Sequence, residues 1–311
     1  MNLNKLGIFL AHLLPPELSN KFSLEGLKLL YSLGFFSSKN LKTPFYENNI
    51  ECLGLNFPNK IGLAGGLDKN ANYFHVFGKL GFGFVEVGTL TLKPQAGNPK
   101  PRIHRFSKEK NKPFFNGVLG VSIGKSKETK IENAFKDYLH LIDYVYDQAD
   151  YIAINISSPN TENLRELSSE NYFKDLIEKI MNKKEQLNGG NTKDVPFVLK
   201  ISPDESMKNL EKIFISCMDF KVDGLILNNS SIKHKKNLNG GISGNYIREI
   251  SEKNLLFAKD FCGDKISLIS SGGIMTAKDV AKRIDLGAEL IQLYSGFIFS
   301  GTDLLKESLE I

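Results

Sequence analysis

The sequence predicts a (β/α)8 TIM barrel of the α/β class, and three observations carry that prediction. Eight short segments rich in apolar and β-branched residues recur between positions 61 and 294, and seven helical patterns follow most of them. Residues 152–157 show almost no alternation of polar and apolar side chains, which is typical of a strand buried on both faces of a parallel sheet. Nearly every strand ends in a polar or glycine-rich group, as expected where a barrel holds its functional site. A doubly wound open sheet is the alternative.

A short helical segment precedes the predicted barrel. Residues 3–36 predict two short helices that are broken at Pro15-Pro16, and the polar stretch after them predicts a linker. We therefore expect an N-terminal helical segment over residues 1–45 and a barrel over residues 46–311. The predicted strands are 61–64, 84–89, 118–123, 152–157, 197–201, 224–227, 267–270 and 290–294. The predicted helices of the barrel are 70–79, 128–147, 163–187, 206–219, 246–261, 277–286 and 302–310.

One crossover helix is absent from this pattern. Residues 92–117, between the second and third predicted strands, contain four prolines and no helical period. Proline in a helix interior removes a hydrogen bond and clashes with the preceding turn, so the usual helix between two parallel strands is not predicted here. This connection is where the sequence departs from a regular barrel.

Composition and charge exclude several classes of protein. The net charge of +5 is modest for 311 residues and the lysines are scattered, so a nucleic-acid partner is not indicated. The three cysteines are far apart in sequence, which argues against disulfides, zinc and an iron–sulfur cluster and favours a reducing compartment. The apolar run at 8–14 is far shorter than the ~20 residues that a spanning helix needs. Pro15-Pro16-Glu17 follows it where a signal peptide would have its cleavage site, which disfavours that interpretation.

The strand ends contain candidates for binding groups. Asn155 interrupts an apolar strand, and an amide buried there needs polar partners from a ligand or from a network. The alternative interpretation of this stretch is an ordinary polar turn. Gly272-Gly273 and Ser295-Gly296 follow the last two strands, where barrels bind phosphate because backbone N–H groups can approach an anion there. A phosphorylated cofactor is therefore expected.

The charged residues and the histidines limit the possible ligand-binding, metal-binding and proton-accepting groups. Lys200 lies inside an otherwise buried strand, so it needs an anionic partner, which is either a structural carboxylate or a ligand. Residues 120–126, G-V-S-I-G-K-S, resemble a phosphate-binding loop of nucleotide triphosphatases but lack the required glycine at Leu119. The five histidines lie outside the strand ends and show no metal-ligand spacing, so no metal site is predicted. Ser158 and the lysines remain as candidate proton acceptors.

Several stretches of the chain together resemble the dihydroorotate dehydrogenase family. They are L-A-G-G-L-D-K-N, V-E-V-G-T-L-T-L-K-P-Q-A-G-N-P-K-P-R, I-N-I-S-S-P-N-T, G-G-I-S-G, S-S-G-G-I and I-Q-L-Y-S-G-F-I-F. The likeness extends over nearly the whole chain. Serine at position 158, where the soluble class of the family has cysteine, and the helical segment before residue 45 resemble the quinone-dependent, membrane-associated class 2.

The resemblance implies FMN as cofactor and oxidation of dihydroorotate to orotate in pyrimidine synthesis, with quinone as electron acceptor. It also implies a monomer bound peripherally to the cytoplasmic side of a bacterial inner membrane. Ser158 is the implied catalytic base, which takes the C5 proton while the flavin N5 takes the C6 hydride. Lys200 is implied beside the flavin N1 and O2, where its charge stabilises the reduced flavin. The implied substrate-binding residues are Lys69, Asn155, Asn160, Asn229 and Ser230. The implied cofactor-binding residues are Gly65, Gly66, Lys69, Thr89, Ser122, Asn155, Lys200, Asn228, Gly244, Gly273, Tyr294 and Ser295.

The chain departs from the family pattern at three places. Residues 106–117 lack the N-R-x-G-F-N-N loop that touches the substrate in the family, and they lack the helix that follows it. Ser122 stands where the family usually has asparagine, and Asn228 stands where it usually has threonine. A serine still donates one hydrogen bond, so we expect weaker rather than lost flavin binding. The missing loop leaves an FMN-binding barrel with reduced or lost dihydroorotate activity as the alternative. A flavin barrel that acts on RNA uridines is disfavoured by the modest charge and by Ser158, where a cysteine would be expected.

Overall fold

The computed structural model describes residues 13–34, 49–93, 115–158, 170–189, 193–233 and 240–311. Within these ranges, eight parallel strands pair in sequence order and close into a barrel, with the last strand beside the first. A two-stranded antiparallel hairpin precedes them. The hairpin strands are β1 (Ile50–Cys52) and β2 (Leu55–Phe57). The barrel strands are β3 (Ile61–Leu63), β4 (Phe84–Leu90), β5 (Val118–Ile123), β6 (Tyr151–Asn155), β7 (Phe197–Ile201), β8 (Gly224–Leu227), β9 (Ser267–Ser271) and β10 (Leu290–Leu293). The helices are α1 (Pro16–Ser32), α2 (Phe74–Leu80), α3 (Ala134–Val145), α4 (Glu170–Asn188), α5 (Met207–Asp219), α6 (Arg248–Cys262), α7 (Ala277–Asp285), α8 (Ser295–Ser300) and α9 (Thr302–Leu309).

The TIM-barrel prediction is confirmed strand by strand. Every residue of β5, β6, β7 and β8 is buried. For β6, the lack of alternation between polar and apolar side chains predicted this burial. Strand β6 ends at Asn155 rather than at the predicted position 157. The reason is local, because the side-chain oxygen of Asn155 accepts the backbone N–H of Ser157 and turns the chain away from the sheet.

Apolar side chains fill the amino-terminal half of the barrel interior. Phe57 of the hairpin packs edge-to-face on Phe84 of β4, and Phe84 in turn packs edge-to-face against Tyr151 of β6. Gly120 is required for this arrangement, since a Cβ atom at that position would overlap the Tyr151 ring. The hairpin was not predicted, because each of its strands has only three residues. Its hydrophobic side covers the amino-terminal end of the barrel, and polar groups lie at the carboxyl-terminal end.

The helices differ from the predictions mainly where side chains cap the backbone. Helix α2 begins at Phe74 rather than at residue 70, because the carboxylate of Asp68 accepts the backbone N–H groups of Asn72 and Tyr73 and holds that stretch as a turn. The short helix α8 was not predicted. The connection predicted to lack a helix lies largely at positions 94–114, outside the described residues.

Helix α1 has one face on the protein and one face in solvent. Leu24 is buried against the core, Glu25 accepts a hydrogen bond from the Tyr73 hydroxyl at 2.7 Å, and the ring of Tyr31 packs on His75 with centroids 5.0 Å apart. The predicted break at Pro15-Pro16 coincides with the start of this helix. Most of the other predicted N-terminal helix lies outside the described residues. In the described part of the chain, none of the helices has the length and apolar character needed to cross a membrane.

Candidate functional site

A polar network centred on Asn155 occupies the carboxyl-terminal end of the barrel. The Asn155 amide nitrogen donates to the Thr89 hydroxyl at 3.0 Å, and the Thr89 and Ser122 hydroxyl oxygens lie 2.9 Å apart. The Asn155 side-chain oxygen accepts from the Ser157 hydroxyl at 3.2 Å and from the Asn229 amide at 3.4 Å. Four predicted site residues on β4, β5, β6 and the loop after β8 therefore form one connected network.

Helix α3 supports this network from behind. The hydroxyl of Tyr138, which is fully buried, donates to the backbone carbonyl of Asn155 at 2.9 Å. Burial raises the pKa of Tyr138 above its usual range, so the hydroxyl keeps its proton and stays a donor. The β6 end is thus fixed both through the Asn155 side chain and through its backbone. An amide interrupting an apolar strand was a correct signal of a polar network.

Asn228, Asn229 and Ser230 form the loop that follows β8. The amide of Asn229 also donates to the Ser157 hydroxyl at 3.1 Å, and its side-chain oxygen accepts the backbone N–H of Ser230 at 2.8 Å. Asn228 is buried, and its side chain bonds the Ser202 carbonyl and the Asn254 amide. The side chain of Asn228 therefore bonds to the barrel framework, and Asn229 is the member of this loop that joins the Asn155 network.

Lys200 is paired with a carboxylate inside the barrel. Its ammonium nitrogen lies 3.0 Å from a carboxylate oxygen of Glu86 on β4, and both side chains are almost fully buried. Gln292 on β10 accepts from Lys200 at 3.4 Å and donates to the other Glu86 oxygen at 2.7 Å. Of the two partners that the sequence left open for Lys200, the structural carboxylate is present. Sequence reasoning did not identify Glu86 as that partner, although a glutamate inside the apolar run F-V-E-V was an available signal.

Tyr151 on β6 completes the buried charge cluster. Its hydroxyl donates to Glu86 at 3.3 Å and receives the Gln292 amide at 3.4 Å. Burial, followed by the charge of Glu86, raises the pKa of Tyr151 well above its usual range, so it remains a neutral donor. We call Glu86, Tyr151, Lys200 and Gln292 the charge cluster. Lys200 lies beside Asn155 in the register of β6 and β7, so this cluster adjoins the polar network directly.

Glycine-rich turns line the same end of the barrel near β9 and β10. Gly273 has a φ of +77°, and a Cβ atom there would overlap the backbone of Arg248, so no other residue fits without strain. A Cβ atom on Gly244 would lie 3.7 Å from the Cβ of Ser295. Gly244 and Ser295 are therefore neighbours, and Gly273 lies in the turn that follows β9. Glycines and a helix start after the last two strands of a barrel suit a phosphate group.

Gly65 and Gly66, which follow β3, approach side chains of the two neighbouring strands. A Cβ atom on Gly66 would lie 3.5 Å from the Tyr294 ring, and one on Gly65 would lie 2.5 Å from a carboxylate oxygen of Glu86. Gly65 thus allows the Glu86 carboxylate to lie against the backbone after β3, and Gly66 allows the Tyr294 ring to approach it.

Arg283 of α7 is a residue that sequence reasoning missed. It is fully buried beneath the glycine turn and donates to the Gly272 carbonyl at 3.3 Å and to the Arg248 carbonyl at 3.0 Å. Its other terminal nitrogen donates to the hydroxyls of Ser251 and Ser270. Burial lowers the pKa of Arg283 to about 10, which still leaves it charged at neutral pH. In the sequence it looks like an ordinary exposed helix charge.

Three further predictions concern Ser158, Lys69 and the triphosphatase-like stretch at residues 120–126. Ser158 is half-buried three residues beyond the end of β6, and Lys69 is exposed next to the buried Asp68, whose pKa is raised by burial. Asn160 lies outside the described residues. The triphosphatase-like stretch is structural, because the buried ammonium of Lys125 donates to the carbonyls of Ser126 and Thr129.

Comparisons with known proteins agree on one family. The family model described as dihydroorotate dehydrogenase matches residues 48–117 and 104–310. The chain is 38% identical over 321 aligned residues to the dihydroorotate dehydrogenase (quinone) of Acinetobacter baylyi, with 94% of this chain and 95% of that protein covered. Its identity to the enzyme of the same name from Neisseria meningitidis serogroup C is also 38%, over 327 aligned residues, with 96% of both proteins covered.

A comparison with solved structures indicates the same family. The crystal structure of DHODH from Eimeria tenella in complex with ferulenol is similar with a TM-score of 0.80 and 29% sequence identity, covering 95% of this chain and 90% of that one. The two segments of the family match meet at 104–117, where the sequence departs from the family pattern. Because the family match spans nearly all of the barrel and the relatives cover almost the entire chain, the protein belongs to the dihydroorotate dehydrogenase family.

Proposed function

We propose that this protein oxidises dihydroorotate to orotate with FMN as its cofactor and quinone as its electron acceptor, as a step of pyrimidine biosynthesis. The observation that carries the proposal is the juxtaposition of the Asn155 network, the charge cluster and the glycine turns at one end of the barrel. The first suits a ring with amide groups, and the other two suit a flavin and its phosphate.

FMN fits the residues that line this end. Backbone amides near Gly244, Gly273 and Ser295 would hold the phosphate, because an anion can approach them without meeting a Cβ atom. Lys200 would supply a positive charge beside the ring system, and Thr89 and Ser122 would supply hydroxyl hydrogen bonds. Gly65, Gly66 and Tyr294 would border the ring, and Asn228 would support it from the framework. Bound FMN supplies a two-electron acceptor, which no side chain of this site provides.

The substrate would bind through the Asn155 network and the loop after β8. Dihydroorotate carries ring amides and a carboxylate, and the amides of Asn155 and Asn229 with the hydroxyl of Ser230 offer both donors and acceptors. Asn160 and the exposed ammonium of Lys69 complete the proposed set. Oxidation of the substrate requires removal of a proton from C5, and we assign that step to Ser158. An alcohol is a weak base near neutral pH, so the proton would leave through a neighbouring hydroxyl or water.

The N-terminal segment, residues 1–45, would place the protein at the membrane where quinone is dissolved. Leu18, Phe22, Leu29 and Leu33 lie within about 60° of one another around α1 on a helix of 3.6 residues per turn, and each is 48–63% exposed. This stripe is opposite to Leu24 and Tyr31, which pack on the barrel, and Glu25 lies at its edge. An apolar stripe of this kind suits peripheral binding at a lipid interface. We propose a monomer on the cytoplasmic side of a bacterial inner membrane.

An anaerobic titration tests the proposal. The purified protein is reconstituted with FMN, freed of excess cofactor and titrated with dihydroorotate while the flavin absorbance is followed. Stoichiometric bleaching, reversed by a quinone, is the expected result. A barrel that binds FMN and is not bleached would have lost the activity, and one that binds no FMN would refute the whole assignment.

A further inference from the structure

The charge cluster contains a carboxylate that the proposed reaction does not use. Glu86 is fully buried, and its two oxygens receive donors from Lys200, Gln292 and Tyr151. A carboxylate only accepts hydrogen bonds, so three donors match it well. Such an ion pair gives little net stability compared with apolar packing, since both charges must be removed from water. Its presence at the edge of the site needs another explanation.

The geometry of Lys200 supplies one. Among the described residues, its ammonium group donates to Glu86 and Gln292, so two of its three N–H bonds are used and one remains for an acceptor on a ligand. A Cβ atom on Gly65 would lie 2.5 Å from a carboxylate oxygen of Glu86, and Lys200 adjoins Asn155 in the sheet. The ion pair is therefore in contact with the backbone after β3 and next to the Asn155 network, where the flavin is proposed to lie.

We propose that Glu86 is a positioning residue that sets the reduction potential of the bound flavin through Lys200. This inference rests on the proposed function. Reduction of the flavin increases negative charge beside Lys200, and the lysine stabilises that charge. Glu86 offsets much of the lysine charge at a distance of 3.0 Å and also fixes where the ammonium lies. Electrostatic interactions in a buried site are weakly screened, so the carboxylate lowers the reduction potential of the flavin by offsetting the lysine charge.

The proposal makes a directional prediction for Glu86→Gln, which keeps the size of the side chain and removes its charge. The ratio of reduced to oxidised flavin at a fixed potential should rise tenfold or more, which for a two-electron couple is a positive shift of about 30 mV. Equilibration with a reference dye under xanthine and xanthine oxidase measures the potential without any turnover by this enzyme. An unchanged or lowered potential would overturn the proposal.

A second background tests whether Glu86 acts through Lys200. The same Glu86→Gln change is made in a Lys200→Met protein, and the potential of the double variant should match that of Lys200→Met within about twofold in the equilibrium ratio. A full tenfold rise in that background would show that Glu86 acts without the lysine and would contradict the mechanism. Asp223→Asn is the matched control, because it removes the carboxylate of another lysine pair, 2.7 Å from Lys184 and just before β8, at the opposite end of the barrel. It should leave the potential unchanged.

Tyr151→Phe keeps the test decisive if Glu86→Gln does not fold. It removes one donor from the same carboxylate and retains the ion pair, so more of the carboxylate charge is left to offset the charge of Lys200 and the equilibrium ratio should fall about twofold. A ratio equal to that of the wild type would count against the proposal. FMN binding is measured first for the wild type and for every variant. A wild type that binds no FMN would refute the proposed function, and this outcome is distinct from an FMN-loaded variant whose potential is unchanged.

Discussion

Replacing Phe22 and Leu29 by glutamine should release the protein from lipid vesicles. The apolar stripe on α1 exposes 62% of Phe22 and 59% of Leu29, and Leu18 and Leu33 expose comparable fractions. Full burial of a large apolar side chain is worth ~1.5–3 kcal/mol, so each half-exposed member would contribute about 1 kcal/mol on entering the lipid interface. The four together would contribute about 4 kcal/mol, and the double variant would lose about half of this. Vesicle affinity should then fall by about 30-fold.

Glutamine is chosen because it is a good helix former, so α1 should remain folded on the barrel. The control is Ile215→Gln with Leu256→Gln, which replaces side chains 43% and 45% exposed on the barrel helices α5 and α6. Co-sedimentation with vesicles of bacterial lipids measures the affinity, and reduction of a water-soluble dye checks that the barrel is intact. Equal affinity in the wild type and in Phe22→Gln/Leu29→Gln, or an equal loss in the control, would refute the assignment of the membrane face to α1.

Three further predictions concern the site and its surroundings. Ser158→Ala should slow flavin reduction by dihydroorotate roughly 10²-fold without changing the FMN spectrum. The rate of the wild type should rise toward alkaline pH, because the base is an alcohol. Equal stopped-flow rates in the wild type and in Ser158→Ala would remove Ser158 from the mechanism. Arg283→Met should weaken FMN binding by about tenfold or more in equilibrium dialysis, because the carbonyls of Gly272 and Arg248 lose a charged donor. Unchanged affinity would show that the turn at Gly272-Gly273 keeps its shape without Arg283. Burial and the charge of Lys28 lower the pKa of His75 below its ordinary value near 6.5. Just below that pH the folded state binds fewer protons than the unfolded state, so stability falls as the pH falls through this window. The melting temperature of His75→Phe should therefore depend less on pH between about pH 5 and about pH 7.

The predictable parts of the fold are those with a local signal. An uninterrupted apolar run such as that of β8 has few alternatives to a buried strand, and all eight barrel strands were found. The β1–β2 hairpin was missed because three-residue strands carry too little periodicity to be distinguished from a linker. The start of α2 was misplaced because the Asp68 side chain, rather than helix propensity, decides where the turn ends.

In the site, too, residues with a local sequence signal could be predicted and residues without one could not. Asn155 could be predicted as a network residue because an amide inside an apolar strand has to find partners. The partner of Lys200 could not be identified from spacing, since Glu86 is 114 residues away and the two meet only when the barrel closes. Arg283 presents a similar difficulty, because a charge on a helix indicates solvent unless the loop above it is known.

The absence of a side chain at Gly120 links the apolar packing inside the barrel to the electrostatics of the charge cluster. Only because that strand position is bare can the Tyr151 ring lie across it, and only from there does its hydroxyl reach Glu86. A single methyl group added at position 120 would push the ring aside and would alter the hydrogen bonding of a carboxylate on the neighbouring strand. The volume available inside this barrel and the charge presented to its ligand are therefore not independent properties. A redesign of the apolar interior would change the redox behaviour of the enzyme even if every residue touching the ligand were kept.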